Sequence, residues 1–349
     1  MRVLVTGASG FIGAHVARRL ADAGAEVRGL SRSAPPEEAR VAEHVAADLL
    51  DAGALRRAVE GCQAVVHVAA LYAYDRRAAA RMEAVNVEGT RAVLDAAGER
   101  RVVLTSSSAT CGPVPGRPAT EADAPPEWEL RVPYKRTKLA AEAAALERAR
   151  AGADVVVVNP TTVVGPGDRR PTPSGQMVHD VATGTIKGYM RGGGINVVAV
   201  EDVAAGHALA LERGRAGERY ILGGEDVSLR EAFGLIARHA GRRPPRIPVP
   251  YRVALSAAHA AALASAVTGR LPRLLVLDEV RLARLPLYFS SAKAKTELGY
   301  SPRPAAQALA EATEWFLGGY GVGWSSGSGS EAARSSSRAR RSAVDSART

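Results

Sequence analysis

The chain has two cysteines in 349 residues, Cys62 and Cys111, at a separation that matches no metal-ligand or redox motif, so a disulfide scaffold and a zinc site are both excluded. Aromatic residues make up 5%, and the arginines are scattered rather than striped; despite a net charge of +10, a nucleic-acid surface is therefore not indicated. No apolar run reaches the 18 residues of a membrane span. The longest candidate, 251–268, is Ala-rich and broken by Arg252, Ser256 and His259, and one face of it could line a greasy substrate pocket. The first strand is read from Arg2, so no leader segment is expected, and a reducing, cytoplasmic setting follows. A 46% hydrophobic content is enough for a sizeable core and roughly two folding units.

What the chain does have is glycine in one telling place. The apolar run Val3-Leu4-Val5 leads into "TGASGFIG", with Gly7, Gly10 and Gly13 three apart and a helix beginning near Phe11. That is the form of a dinucleotide-binding turn: Gly7 for the bend, Gly10 for close approach of backbone to a pyrophosphate, Gly13 for close helix packing. Ser9, Phe11 and Ile12 share the turn, and the helix N-terminus favours the phosphates. A second strand, Glu26 to Leu30, ends at Ser31-Arg32, where an NAD site carries Asp or Glu about 20 residues beyond the glycines. Arginine suits a 2′-phosphate. NADP is therefore expected over NAD, with Arg28 as a second candidate cation.

Further along, Asp48-Leu49 follows a third strand and can close the adenine side, with helix capping as the alternative for Asp48. The strand Ala64 to Val68 ends in the small residues Ala69-Ala70, which leave room for ribose and diphosphate. Asn86 opens the helix "NVEGT", either tying neighbouring strands through its amide or capping. A fifth strand delivers Thr105-Ser106-Ser107-Ser108 at its C-terminal end, where open parallel sheets place their ligands. Tyr134 and Lys138 then stand four apart on one helix face. A free tyrosine titrates near pH ~10, so using it near neutrality takes roughly 3 to 4 kcal/mol of help. The Lys138 ammonium can supply it, while Ser107 steadies the substrate oxygen.

"TGASGFIG", "HVAA", "NVEGT", "TSSSATCG" and "YKRTK" occur in the order and spacing of the extended short-chain dehydrogenase/reductases, which the chain resembles over residues 1 to about 320. "VVVVNPTTVVGPGD", "VEDVAAGHALALERG" and "GERYILGG" make it similar to the hopanoid-associated sugar epimerases and dihydroflavonol-reductase-like proteins within that family. The resemblance implies a doubly wound parallel α/β sheet, a smaller substrate lobe, Ser107, Tyr134 and Lys138 as catalytic triad, and Pro160, Thr161, Thr162 and Val163 beside the nicotinamide. Ser108 competes with Ser107 for its role because the hydroxyl run is long.

The expected organisation is a cofactor domain over 1–165 completed by 195–225, with Asp202 capping a helix that begins at Val203. A substrate lobe takes 166–194 and 226–320. A disordered tail over 325–349 carries five arginines against one Glu and one Asp. The function read from this is NAD(P)-dependent hydride transfer to an aldehyde or ketone. Nucleotide-sugar epimerisation or dehydration by transient oxidation, and a non-catalytic cofactor-sensing protein, are the alternatives. A small-molecule carbonyl or sugar substrate is expected, with no metal and no membrane span; pairing into a homodimer fits the fold type.

Overall fold

The computed structural model describes residues 1–72, 78–268, 277–283 and 285–318; the basic tail read from the sequence lies outside them. Strands β1 (Arg2–Thr6), β2 (Glu26–Ser31), β3 (Glu43–Ala46), β4 (Ala64–His67), β5 (Arg101–Thr105) and β6 (Val155–Pro160) alternate with helices α1 (Phe11–Asp22), α2 (Ala52–Val59), α3 (Ala79–Glu83), α4 (Gly89–Ala97) and α5 (Pro133–Arg150). The chain continues through β7 (Thr162–Val164), α6 (Pro173–Ala182), β8 (Gly188–Met190), β9 (Gly194–Ala199), α7 (Val200–Arg213) and β10 (Arg219–Leu222). It then runs through β11 (Glu225–Ser228), α8 (Leu229–His239), β12 (Ile247–Val249), α9 (Tyr251–Thr268), α10 (Leu277–Ala283), β13 (Pro286–Leu287), α11 (Ala292–Leu298) and α12 (Ala305–Leu317).

The main sheet is parallel throughout, in the order β10-β6-β5-β4-β1-β2-β3. Its inner strands β1, β4, β5 and β6 are buried on both faces, which is why they read as valine-rich apolar runs rather than as alternation, while β3 at the edge is half-exposed. Alternate side chains still part company. Val3, Val5, Val66, Val103, Val156 and Val158 pack under α1 and α7 with Val16, Leu20 and Val203. Leu4, Val65, Val102, Leu104, Val155 and Val157 pack on the other side with Leu55, Val93 and Ala145. The strand order reverses between β1 and β4, so the crevice at the C-terminal ends of those two strands is where such a sheet accepts a ligand.

A smaller sheet holds β11, β9 and β13, with β7 also pairing to β9. It is covered through Val178, Phe233, Leu309 and Phe316 of α6, α8 and α12. The strand that the sequence reading sent back to the first domain, β9, belongs to this smaller sheet; α7 and β10 make the return. Helix α9 buries Ala254 and Ala258 against Val280, and no described helix is long and apolar enough to cross a membrane. His259 on α9 is exposed, its Nδ1 2.8 Å from the Leu255 carbonyl, as befits a surface histidine.

Three local expectations are corrected. Asp202 does not cap a helix: α7 starts at Val200 from the N-cap Ala199, and the Asp202 carboxylate accepts from the Arg303 backbone N–H at 2.9 Å and from its Nε at 3.1 Å. It fastens the segment leading to α12. Asp51, not Asp48, caps α2 by accepting from Ala54 N–H at 2.9 Å; Asp48 accepts from Leu50 N–H in the preceding turn. Arg28 is buried and turned away from the crevice. It donates to the Ala58 and Glu60 carbonyls at 2.9 and 2.7 Å and to Glu43 at 2.8 Å, closing the C-terminus of α2, and is not available to a phosphate.

Candidate active site

The glycine turn is built by close approach. Gly7 has φ +73°, and a Cβ there would lie 2.8 Å from the Ala69 Cα at the end of β4. At Gly13 a Cβ would lie 2.1 Å from the Gly7 carbonyl oxygen, so the helix can seat on its own turn only without a side chain. Gly10 is the N-cap of α1, where an added Cβ would meet only the Gly7 oxygen, at 3.2 Å, within 4 Å. The first-turn N–H groups of Phe11, Ile12 and Gly13 have no acceptor within the helical ladder, and they lie at the crevice with the positive helix end. These residues fit a dinucleotide: a cradle that side chains would fill is kept clear of them.

Neighbouring segments complete the rim. The Ser33 hydroxyl donates to Ser9 Oγ at 3.2 Å and the Gly7 N–H to the Leu30 carbonyl at 2.7 Å, which brings the exposed Arg32 beside the turn. Beyond β4, Val68, Ala69 and Ala70 are partly or fully exposed. Leu49 is different, being buried in the core against Gly89. The Asn86 amide pins the loop after β4 to α5: its Oδ1 accepts from Leu71 N–H at 2.6 Å, and its Nδ2 donates to the Leu71 carbonyl and to Thr137 Oγ1. It ties a loop to a helix rather than strand to strand, and it lies inside a π-helical turn rather than at a cap.

Below the rim runs a directed hydrogen-bond chain that sequence reading missed. The Ala69 N–H donates to Thr6 Oγ1 (3.2 Å), Thr6 donates to His67 Nδ1 (2.7 Å), His67 Nε2 donates to Thr90 Oγ1 (3.1 Å), and Thr90 donates to the Asn86 carbonyl (2.6 Å). Only the neutral imidazole satisfies it, and burial, aided by the Lys138 charge, pushes His67 down to about 3. Below pH 6.5 the unfolded chain therefore binds a proton that the folded protein refuses. His67 contributes stability in full above that pH and loses it as pH falls toward 3, at about 1.4 kcal/mol per pH unit. His67→Gln should flatten the pH dependence of the urea midpoint between pH 6.5 and 5 by about one proton. An unchanged slope would show that His67 is not the titrating strut.

The hydroxyl run at the end of β5 resolves into distinct tasks. Thr105 gives its hydroxyl to His207 Nε2 at 2.8 Å and its carbonyl to Lys138 Nζ at 2.7 Å, so its side chain serves the α7 layer. Ser106 and Ser108 are buried. Ser107 is extended, φ −159°; its Oγ accepts from the Ala109 N–H at 3.2 Å, and it is the hydroxyl of the run that lies toward Tyr134 and acts to lower its pKa. Tyr134 enters on the first turn of α5, behind Pro133 at the helix start, which places Lys138 one turn on and directly below. The Tyr72 ring meets the Tyr134 ring edge-on at 4.5 Å.

The electrostatics differ from expectation in one respect. Burial raises Tyr134 above its ordinary value, with the Ser107 hydrogen bond pulling the other way; Lys138, engaged by the Thr105 carbonyl, does not lower it in this structure. Lys138 itself is pushed down to about 8 by burial, against the charge of Glu142. Of the segment after β6, Pro160 closes the strand and Thr162 opens β7, while Thr161 donates to Asn196 Oδ1 at 2.8 Å and the Val163 carbonyl accepts from Ser174. Among the described residues no cluster of His, Cys, Asp or Glu could hold a metal.

Residues 3–223 match the NAD dependent epimerase/dehydratase family. The chain belongs to that family. It is 37% identical, over 89% of its length and 93% of the other's, to a Synechocystis protein provisionally named a dihydroflavonol 4-reductase. It is 31% identical, over 88% and 94%, to the 4-hydroxy-2-methyl-3-oxo-4-farnesyl-3,4-dihydroquinoline-1-oxide ketoreductase of Stigmatella aurantiaca. The crystal structure of gox2253 superposes with a TM-score of 0.78 at 39% identity, covering 91% of this chain and 98% of that one. As a member of the family, the protein is an NAD(P)-dependent enzyme of the oxidoreductase or epimerase type acting on CH–OH groups.

Proposed function

We propose that the protein is an NADP-preferring reductase of an aldehyde or ketone. The observation that carries this reading is the placing of Tyr134 and Lys138 one turn apart on α5, Lys138 held at the end of β5 by the Thr105 carbonyl, with the Ser107 hydroxyl toward Tyr134. When bound across the glycine turn, the cofactor supplies the hydride and, once oxidised, a positive ring. Tyr134 donates its phenolic proton to the oxygen of the substrate carbonyl as that oxygen gains charge, and the Ser107 hydroxyl donates a hydrogen bond to the same oxygen. Lys138, one turn on and held by the Thr105 carbonyl, would hold the nicotinamide ribose of the bound cofactor, and the positive ring of the oxidised cofactor would favour the phenolate left on Tyr134. The two reductase names among its relatives support the carbonyl substrate. An epimerase reading is favoured by the family's own name. Against it stands the approach to Glu201-Asp202, Gly192 to Val198 with only Arg191 as a cation, which offers little to clamp a nucleotide diphosphate.

The test is to follow NADPH absorbance with a panel of aldehydes, ketones and nucleotide sugars. Steady oxidation with a carbonyl is expected; a sugar inverted by protein that retains NAD(P)⁺, with no net change in NADPH, would decide for the epimerase. Cofactor choice has its own test. Arg32→Asp exchanges a cation for a carboxylate suited to ribose hydroxyls, so NADPH affinity should fall about tenfold or more while NADH affinity rises. If wild type binds NADH as tightly as NADPH in a fluorescence titration, Arg32 is only a surface residue.

A further inference from the structure

Glu142 is 2% exposed and stands on α5 one turn beyond Lys138 and two beyond Tyr134, so all three share a helix face. Its Oε1 accepts from Arg219 Nη1 of β10 at 2.7 Å. Its Oε2 accepts from Asn159 Nδ2 of β6 at 2.7 Å and lies 2.8 Å from the Thr110 hydroxyl. Asn159 Nδ2 and Thr110 Oγ1 are in turn 3.1 and 2.8 Å from the Ser107 carbonyl oxygen. A buried carboxylate costs several kcal/mol unless it is paired and fully hydrogen-bonded. This one is paired, yet the proton and hydride steps described above make no use of it.

We propose that Glu142 is a positioning residue of the active site, fixing the Ser107 carbonyl through Asn159 so that the Ser107 hydroxyl aims at Tyr134, while its negative charge faces the Lys138 ammonium. The proposal rests on the roles given above to Ser107, Tyr134 and Lys138. Two oxygens meet three donors from three separate elements, β10, β6 and the turn after β5. A glutamine in the same place would turn its NH₂ toward at least one of those donors, so shape alone does not substitute for the carboxylate.

The charges around the pair are few. Lys138 faces Glu142 on its own helix, the neutral His67 from β4, and the Thr105 carbonyl from β5, behind which His207 of α7 is also held neutral by burial. Glu142 faces Arg219 from β10 and, from the turn after β5, the Cys111 thiol, which burial pushes up to about 12 and so leaves uncharged. Burial brings Lys138 down to about 8, and Glu142 is the charge that opposes this. Loss of the carboxylate should let Lys138 fall further.

The sequence contains five lysines, so protein labelled with ¹³Cε-lysine gives few enough NMR signals to follow one by one, with Lys138 assigned by Lys138→Arg. The expected result is a Lys138 midpoint near 8 in wild type that drops by about one unit in Glu142→Gln. In Glu142→Asp, which keeps the charge but withdraws it from the Ser107 loop, the midpoint should hold while kcat for a reducible carbonyl of the panel falls about tenfold at unchanged KM. NADPH affinity should stay within about threefold in both variants. A Lys138 midpoint unmoved in Glu142→Gln overturns the proposal. Should that variant fail to fold, wild-type kcat in Glu142→Asp does so. Tyr134→Phe separates the two levels: if it keeps activity, the catalytic reading fails and the Lys138 titration still judges the coupling to Glu142.

Discussion

Tyr134→Phe should lower turnover by about 10³-fold or more while NADPH binds within about threefold of wild type. The substitution deletes one oxygen from a ring whose packing against Tyr72 stays intact, so neither the fold nor the glycine turn has reason to change. General acid catalysis is worth about 10² to 10⁴ in rate, and removal of the phenolic oxygen takes away that proton source. Replacing Ser107 by Ala should cost less than losing Tyr134, because a hydrogen bond to the developing charge is lost but the proton source survives. Activity within tenfold of wild type in Tyr134→Phe, measured by NADPH consumption, would remove Tyr134 from the mechanism.

Gly13→Ala should destabilise the protein by about 1 to 3 kcal/mol and weaken NADPH binding by at least about tenfold. Two effects compete at this position. Alanine in place of glycine inside a helix is worth about 1 kcal/mol in favour of the folded state. The new Cβ, however, would stand 2.1 Å from the Gly7 carbonyl oxygen and 2.7 Å from its carbon, and both are backbone atoms of the turn that cannot rotate away. Steric displacement wins, and relief requires α1 to lift from the glycine turn proposed to hold the phosphates. Gly24→Ala is the control. It has nothing within 4 Å but φ +85°, so strain should cost stability without touching cofactor affinity. Paired denaturation and binding titrations distinguish the two. If Gly13→Ala binds NADPH as wild type does, the close seating of α1 is not what builds the site.

The motifs make the fold class legible in the sequence. The valine runs, the three glycines and the order of segments specify a doubly wound parallel sheet, because strands buried on both faces and a turn with no room for side chains leave local marks in the sequence. The pairing of Tyr134 with Lys138 was equally readable, since helical periodicity alone puts residues four apart on one face. That same periodicity extends to Glu142, a carboxylate on the face of Tyr134 and Lys138, while its burial is visible only in the fold.

Other assignments failed for want of long-range information. Arg28 and Arg32 stand four apart at the end of the same strand, and composition does not tell a cation that closes α2 from one that borders the glycine turn. Asp202 looked like a cap because acidic residues at helix starts usually are, but its partner Arg303 lies 101 residues away in the chain. The family resemblance pointed to Ser107 and left Ser108 as its rival; the extended backbone at Ser107 and the bracing of its carbonyl by Asn159 are features that no local pattern carries. By itself, then, the sequence determined the fold class, the tight glycine turn after β1 and the helix that carries Tyr134 and Lys138, all of which depend on residues near one another along the chain. Only the tertiary structure decided what Arg28 closes, what Asp202 fastens, and where Glu142 spends its charge, because each of those depends on partners brought in from other strands and helices.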